Sequence, residues 1–399
     1  MVEAAGLMKG PHRIFPLLFR ISADAMRSRF DQRTLYSYTS TIRPTEEALG
    51  LVIDWILRAQ QPDGGVPAYY SLMRGYSESY PEVTGYIVPT LYDFAHATSD
   101  SDAAHAAERA TNWLLSLRMS SGAFPAGLHT GEEQPSVFNT GQILQGLVRG
   151  YMETHRAEIL EAADAAGDWL ASAQSPDGSW SGVGAYQGAA HTYYSMVAWS
   201  LALLASETKA TRHRSTAERN LNWVLKQIEP SGWTGGINLK GYPTFLHFIA
   251  YVIQGVLECG IALHREDAIV AASGSAWVLL RKFEVHKALL GTYEAEFKRG
   301  MSFVCLTGNA QMSCVWLRLY EATGELRYLN GALKMNELLK QSLRTRGNRG
   351  ALGGVAGSYP IWGAYQPLRY ISWGCKFLAD ALMLELRLKR AFEARACAS

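Results

Sequence analysis

Apolar residues recur along the chain with helical spacing, in two alternating styles. In the first style the charges keep to one side. Between Arg212 and Gln227, the residues Arg214, Glu218, Arg219 and Lys226 lie apart from Leu221, Trp223, Val224 and Leu225, which predicts a helix with one face in water. In the second style the helix is apolar nearly all round, as in Tyr193 to Ala205, Phe138 to Tyr151 and Leu246 to Leu263, which predicts burial on every side. Outer helices are predicted near 45–60, 101–118, 156–174, 213–228, 265–283 and 324–343, and inner helices near 82–97, 137–153, 190–206, 244–263, 303–322 and 369–390. No stretch reads as a long β sequence.

The alternation is a repeat. Trp55, Trp113, Trp169, Trp223 and Trp277 follow one another at intervals of 58, 56, 54 and 54 residues, each near the end of a helical pattern with glycine further on. A sixth copy, MNELLKQSLRTRGNRGALGG, lacks the tryptophan. A unit of this length buries its apolar face only against neighbouring copies. Six helix pairs in alternation predict an all-α fold, an (α/α)6 toroid of six helix hairpins. The domain division is 1–43 as an N-terminal strap or amphipathic segment and 44–399 as the toroid. The head, with PHRIFPLLFRISADAMRSRF, suits either a strap across the ring or peripheral contact with an acidic membrane surface.

The connections differ in kind. Each outer-to-inner loop is long and rich in Gly, Pro, Trp and Tyr, while the returns are short and plain. Long loops in compact domains carry function, and these surround the amino-terminal ends of the inner helices, which favour anionic groups. A cavity mouth is expected at that end.

Composition narrows the classes. With 48% apolar residues among 399, the chain builds one large core, and a net charge of +2 leaves no nucleic-acid footprint. The five cysteines are scattered without Cys-x-x-Cys spacing, which favours a reducing, cytoplasmic setting, with the inner membrane surface as the alternative location. No segment reads as a signal peptide or a spanning helix. Phosphate loops, zinc helices and nucleophile elbows are absent, and neither a metal nor a cofactor is expected. The sequence leaves the oligomeric state open.

The candidate chemistry stands at the starts of the inner helices. Glu82, between Tyr80 and Tyr86, is either a helix cap or a catalytic acid. His191, with Tyr193 and Tyr194, opens the third inner helix, and His247 stands in the first turns of the fourth; histidine suits proton transfer near neutrality. The catalytic set is therefore His191, Tyr194, Glu82, Tyr86 and His247. Asn139 and Gln142 at the same level offer neutral hydrogen bonds to sugar hydroxyls. Tyr70, Tyr80, Tyr193, Trp233, Trp362, Tyr365 and Trp373 offer flat faces for sugar rings, and Arg369 offers a cation for a carboxylate. Some tryptophans, Trp180 above all, serve equally as fasteners of the repeat.

Two resemblances add to this. ADAAGDWLASAQSPDGSW, which ends at Trp180, resembles the QW repeat of the squalene cyclase and prenyltransferase toroids in Trp169, Leu170, Gln174, Gly178 and Trp180, although the basic residue that begins that pattern is absent. It implies a structural fastener and not terpene chemistry, whose Asp-rich motifs are missing. The run SYPEVTGYIVPTLYDFA, residues 79–95, is similar to proteins of bacterial exopolysaccharide clusters and to toroid polysaccharide enzymes such as uronate C5-epimerases and lyases.

Three function classes follow. The first is an enzyme that abstracts the C5 proton of a uronate in an acidic polysaccharide or oligosaccharide and then epimerises or eliminates. The second is a glycoside hydrolase with two opposed carboxylates from Glu82, Glu132, Glu294 and Glu296. The third is a noncatalytic glycan-binding assembly factor. Terpenoid cyclisation is a minor fourth reading.

Overall fold

The computed structural model describes residues 43–129, 134–237, 239–240 and 242–398. Among the described residues, twelve α-helices alternate between two concentric rings. The outer ring holds α1 (Thr45–Ala59), α3 (Ser101–Ser116), α5 (Ala157–Ala173), α7 (Thr211–Leu225), α9 (Glu266–His286) and α11 (Leu326–Ser342). The inner ring holds α2 (Pro81–Thr98), α4 (Val137–Thr154), α6 (Ser195–Thr208), α8 (Leu246–Leu263), α10 (Leu306–Thr323) and α12 (Ser372–Ala398). Each inner helix packs on the next, and α12 returns to α2. The first outer helix, α1, packs on the last inner helix, so the two ends of the toroid close the ring. Among the described residues α8 alone is long and apolar enough to cross a membrane, and it lies inside the ring with most of its surface buried.

Sequence spacing explains the register of the outer ring. The five repeat tryptophans stand ten to twelve residues after the start of their helices, at one level of successive outer helices. The long loops that follow α1, α3, α5, α7 and α11 each hold a tight turn with a positive-φ glycine: Gly64, Gly122, Gly178, Gly232 and Gly353. Each glycine lies against the backbone of the neighbouring outer helix shortly before its tryptophan. At Gly178, with φ +93°, a Cβ would stand 2.4 Å from the Arg219 carbonyl oxygen, so the turn needs both the left-handed backbone and the missing side chain. Glutamine completes the fastening. Gln174 Nε2 donates to the carbonyls of Gly178 and Thr216 at 3.1 and 2.9 Å, and Gln60 Nε2 donates to those of Gly64 and Ala106 at 2.9 Å each. Trp180, fully buried, donates its indole N–H to the Leu170 carbonyl at 2.8 Å.

The inner-to-outer returns are two residues long where they follow α2, α4, α6, α8 and α10. Each begins with a left-handed residue, Ser99, His155, Lys209, His264 or Gly324, which ends the helix and reverses the chain. The long loops carry short strands: β1 (Tyr69–Ser71), β2 (Gly75–Tyr76), β3 (Tyr293–Glu294), β4 (Lys298–Arg299), β5 (Val304–Cys305), β6 (Ser358–Tyr359) and β7 (Arg369–Ile371). Antiparallel pairing of β1 with β7, Tyr70 opposite Tyr370, stitches the first loop to the last.

The loops are therefore packed, and the incomplete burial expected of their aromatic residues holds for some of them and not for others. Trp180, Trp233 and Tyr365 are buried, Tyr69, Tyr70 and Tyr76 are half-buried, and Trp362 alone among these is exposed, at 43%. Three inner helices start three to five residues later than the spacing predicts, because Thr192–Tyr194 forms a short 3-10 turn before α6, Val304–Cys305 forms β5 before α10 and Arg369–Ile371 forms β7 before α12. The head, 1–43, lies outside the described residues except for Arg43.

Candidate active site

Several sequence candidates meet at the amino-terminal end of the inner ring. Pro81 opens α2 as its first residue, which fixes the entry and leaves Glu82 in the first turn. Thr84, one turn into the helix, accepts the Val66 amide at 2.8 Å and so pins the loop over the helix start. Gly85 then lets α2 press on α4, since a Cβ there would stand 2.5 Å from the Ile143 Cα. These contacts give the Pro-Glu-x-Thr-Gly-Tyr segment its spacing and hold Glu82 and Tyr86 in place.

Around Glu82 the side chains are aromatic. His191 stacks on Tyr193 at 5.1 Å between ring centroids, Tyr193 meets Phe138 at 5.1 Å, and Phe138 meets Tyr251 at 5.3 Å. Tyr251 lies 4.2 Å from His247, which lies 5.8 Å from Tyr365. Trp373 donates its indole N–H to the Tyr365 hydroxyl at 2.9 Å. The two histidines thus share one continuous cluster, with residues contributed from α2, α4, α8, α12 and the loop ahead of α6.

Glu82 is the electrostatic centre of this cluster. It keeps some solvent contact, yet protein surrounds it closely, and this desolvation lifts its carboxyl to about 7 against the opposing hydrogen bond from the Tyr80 hydroxyl. No cation among the described residues contributes to its shift. Burial pushes Tyr80, Tyr86, Tyr193, Tyr251 and Tyr365 well above the ordinary phenol range, and the Glu82 charge adds to each. Burial drives His247 down to about 3, against the hydrogen bond its Nδ1–H donates to Gln311 Oε1 at 2.9 Å. His191 is lowered by the same cause, and its Nε2–H donates to the Tyr186 carbonyl at 2.9 Å. Tyr194 is pushed up to about 12 by burial, and its hydroxyl accepts the Tyr186 amide at 2.7 Å. Both imidazoles are consequently neutral near pH 7, and Glu82 is the group poised to gain and lose a proton there.

Buried polar atoms at this end without a hydrogen-bond partner include Gln142 Nε2 and His191 Nδ1, and the Tyr86 and Tyr251 hydroxyls have only each other. Buried polar groups are ordinarily satisfied, so these are groups a bound molecule can satisfy. Tyr251 was not singled out from the sequence. It stands one helical turn after His247, a spacing that places both on one face of α8.

Other candidates take structural parts. Asn139 Nδ2 donates to the Pro125 carbonyl at 2.8 Å and ties down its loop. Tyr70 packs edge-on against Tyr76 at 5.0 Å and donates to Asn348 Oδ1 at 3.0 Å. Trp233 is buried against Phe297 at 5.2 Å. Arg369, expected as a carboxylate clamp, lies with its guanidinium 4.0 Å over the Tyr69 ring and donates to Gln366 Oε1 at 2.7 Å; residence on β7 beside β1 keeps it in the strand layer. Trp362 makes no ring contact with the cluster. Glu294 and Glu296 are exposed on the β3–β4 hairpin, away from Glu82, and Glu132 lies outside the described residues.

A cavity of about 650 Å³ lies at the other end of the ring. Its wall comes from the carboxyl-terminal halves of α2, α8 and α10, from α12, and from Trp199 of α6. The expectation of a mouth among the long loops did not anticipate it. Its charged residues stand on helices that read as apolar all round. Among the described residues no group of three His, Cys, Asp or Glu side chains could hold a metal.

No family model matches the chain, and no curated protein aligns with it. Solved structures of similar fold do exist. An unsaturated glucuronyl hydrolase specific for heparin superposes with a TM-score of 0.70 at 13% identity, over 87% of this chain and 98% of that one. A cellobiose 2-epimerase from Bacillus thermoamylovorans gives 0.70 at 10%, over 86% and 97%. A D-mannose isomerase gives 0.68 at 11%, over 88% and 100%. At these identities the likeness is one of fold, the (α/α)6 toroid.

Proposed function

We propose that this chain is a carbohydrate-active enzyme that moves a proton on a sugar residue of a glycan, with Glu82 as its acid and base. The observation that carries the reading is the Glu82 carboxyl lifted to about 7 inside a box of tyrosines. A carboxyl near the working pH is present in both forms, so it can take a proton from carbon and return it. Abstraction next to a carboxylate or carbonyl leaves an enolate, whose oxygen needs donors; the Gln142 amide, which has no partner, and the Tyr86 and Tyr251 hydroxyls, which have only each other, would supply them. Protonation from the opposite face by a phenol of the tyrosine box, while Glu82 keeps the proton it took, gives an epimer, and loss of the β-substituent, protonated by Glu82, gives an unsaturated sugar. Neutral His247 and His191 would act as hydrogen-bonding and positioning groups. The toroids of similar fold include sugar hydrolases, epimerases and an isomerase by name, which fits a saccharide substrate.

The finer reading takes an acidic, uronate-containing glycan as the substrate, in polysaccharide biosynthesis inside the cell. In the absence of Arg369 from the cluster, the substrate carboxylate would be held by hydrogen bonds from the phenols and by the α2 amino terminus. The cytoplasmic setting and the contact of residues 1–43 with a membrane surface belong to the same proposal.

The test is incubation of the protein and of Glu82→Gln with a panel of uronic-acid polysaccharides in deuterated water. Deuterium at C5, or absorbance of an unsaturated uronate, is expected with the native chain, and loss of roughly 10²–10⁴-fold with the variant. New reducing ends without either signal would instead assign hydrolysis. Full activity in folded Glu82→Gln would remove Glu82 from the chemistry.

A further inference from the structure

We propose that the cavity at the short-return end is a second saccharide-binding site, joined to His247 by a chain of buried amides. This inference does not depend on the role of Glu82, because it is argued from a different wall at the opposite end of the ring.

The wall has the chemistry of a sugar site. Trp199 presents a half-buried ring to the cavity, which Met383 and Leu384 also line, and a flat aromatic face suits the C–H face of a pyranose. Most charges of the wall are paired, Asp93 with Arg149 and Arg387 with Glu321 beyond the cavity, while Arg390 stands exposed. Arg318 donates from Nε and Nη2 to the two Glu258 oxygens at 2.7 and 3.0 Å, and Lys376 donates to Asp380 at 2.5 Å. Thr90 also donates to Asp380, at 2.7 Å. These four charges cancel, so a ligand of net charge finds no uncompensated partner among them. What they keep is hydrogen-bonding capacity: spare carboxylate lone pairs to accept from hydroxyls, and N–H groups to donate. A neutral, polyhydroxylated molecule meets both. A volume of about 650 Å³ lies inside the range of roughly 300–1,000 Å³ common to small-molecule sites.

Stability alone does not account for the arrangement. Glu258, Lys376 and Asp380 carry charge inside the ring, where hydrophobic residues of like volume generally stabilise a fold as well or better. The pairs are also set on the cavity rather than in close-packed core.

The amide chain gives the site its reach. His247 Nδ1–H donates to Gln311 Oε1 at 2.9 Å, and Gln311 Nε2 donates to Gln254 Oε1 at 2.8 Å. Gln254 lines the cavity, and all three side chains are buried. Hydrogen bonds in such a row polarise one another. An acceptor bound to the Gln254 amide nitrogen therefore strengthens the whole row and holds His247 with its proton on Nδ1.

Calorimetric titration of the full chain with cellobiose, maltose and glucuronic acid tests the proposal. Saturable binding of at least one neutral disaccharide is expected, no weaker than that of glucuronic acid. It should persist in Glu82→Gln and fall tenfold or more in Met383→Trp, whose indole fills the void from α12. If Met383→Trp does not fold, Ala97→Leu fills the same space from α2. Absence of saturable binding to either disaccharide overturns the proposal, as does binding that survives a folded cavity-filling variant. Binding lost in Glu82→Gln but kept in Met383→Trp also overturns it, and assigns the sugar to the Glu82 end.

Discussion

A single carboxyl, Glu82, connects burial to pH. Its folded pKa of about 7 stands above the ordinary carboxyl value of 4.5, so the folded state holds the proton more tightly than the unfolded chain does. The stability this gives is complete below about pH 4.5 and is lost as pH rises through 7. Glu82→Gln lacks the titration. The stability of the native chain relative to that variant should fall between pH 4.5 and 7, by at most about 3 kcal/mol, and then level off; parallel urea titrations across that range would show it, and identical pH profiles would refute it. At this scale the sequence was partly legible. Glu82, Tyr86, His191, Tyr193 and His247 stand at helix starts, and helix starts converge in a ring. Tyr251, Lys376 and Asp380 were hidden because each interrupts an apolar run that looks complete without it. Asn139 and Arg369 were over-read, since a polar residue near a helix start serves a loop carbonyl or a neighbouring ring as readily as a substrate.

At the level of helices and turns, the left-handed returns and the glycine turns lead to opposite expectations. Ser99, His155, Lys209 and His264 hold left-handed caps with φ of 59°, 53°, 59° and 57°. Such backbone costs a side chain about 1–2 kcal/mol, which glycine avoids at the expense of greater freedom in the unfolded chain. Glycine at any one of the four should raise stability by roughly 0.5–1 kcal/mol, seen as a higher Tm; a lowered Tm would mean that the side chain makes a contact worth more than the strain. The loop glycines respond the other way. Gly178→Ala meets the Arg219 carbonyl in addition to its φ of +93°, whereas Gly182, at φ +84°, has no neighbour within 4 Å. Gly182→Ala should cost about 1 kcal/mol and Gly178→Ala about 3 kcal/mol or more, a difference that thermal unfolding resolves. Helix order and level were legible because the 54–58-residue spacing of the tryptophans reflects this fastening in every unit. The short strands were not, because two or three residues carry no periodic signal.

For the whole molecule the decisive feature is closure. Trp55 donates its indole N–H to the Gly350 carbonyl at 2.7 Å, Arg58 donates to the Leu352 carbonyl at 2.6 Å, and Thr45 donates to Glu385 at 2.8 Å. These bonds make neighbours of the first and last hairpins. Trp55→Phe should therefore weaken amide protection in α1, α11 and α12 together in hydrogen exchange, at a cost of about 1–3 kcal/mol for the orphaned carbonyl and lost contacts. Protection lost in α1 alone would show that the ring is not a cooperative unit. The Trp55–Gly350 bond spans 295 residues, and a ribosome adding about 5–20 residues per second needs roughly 15–60 s to cover that interval. Throughout it the apolar face of α1, with Val52, Ile53, Trp55 and Ile56, waits for a partner not yet made. A nascent chain built this way holds its earliest sticky surface open until its last helix emerges, which makes α1 the segment for a chaperone to shield during synthesis.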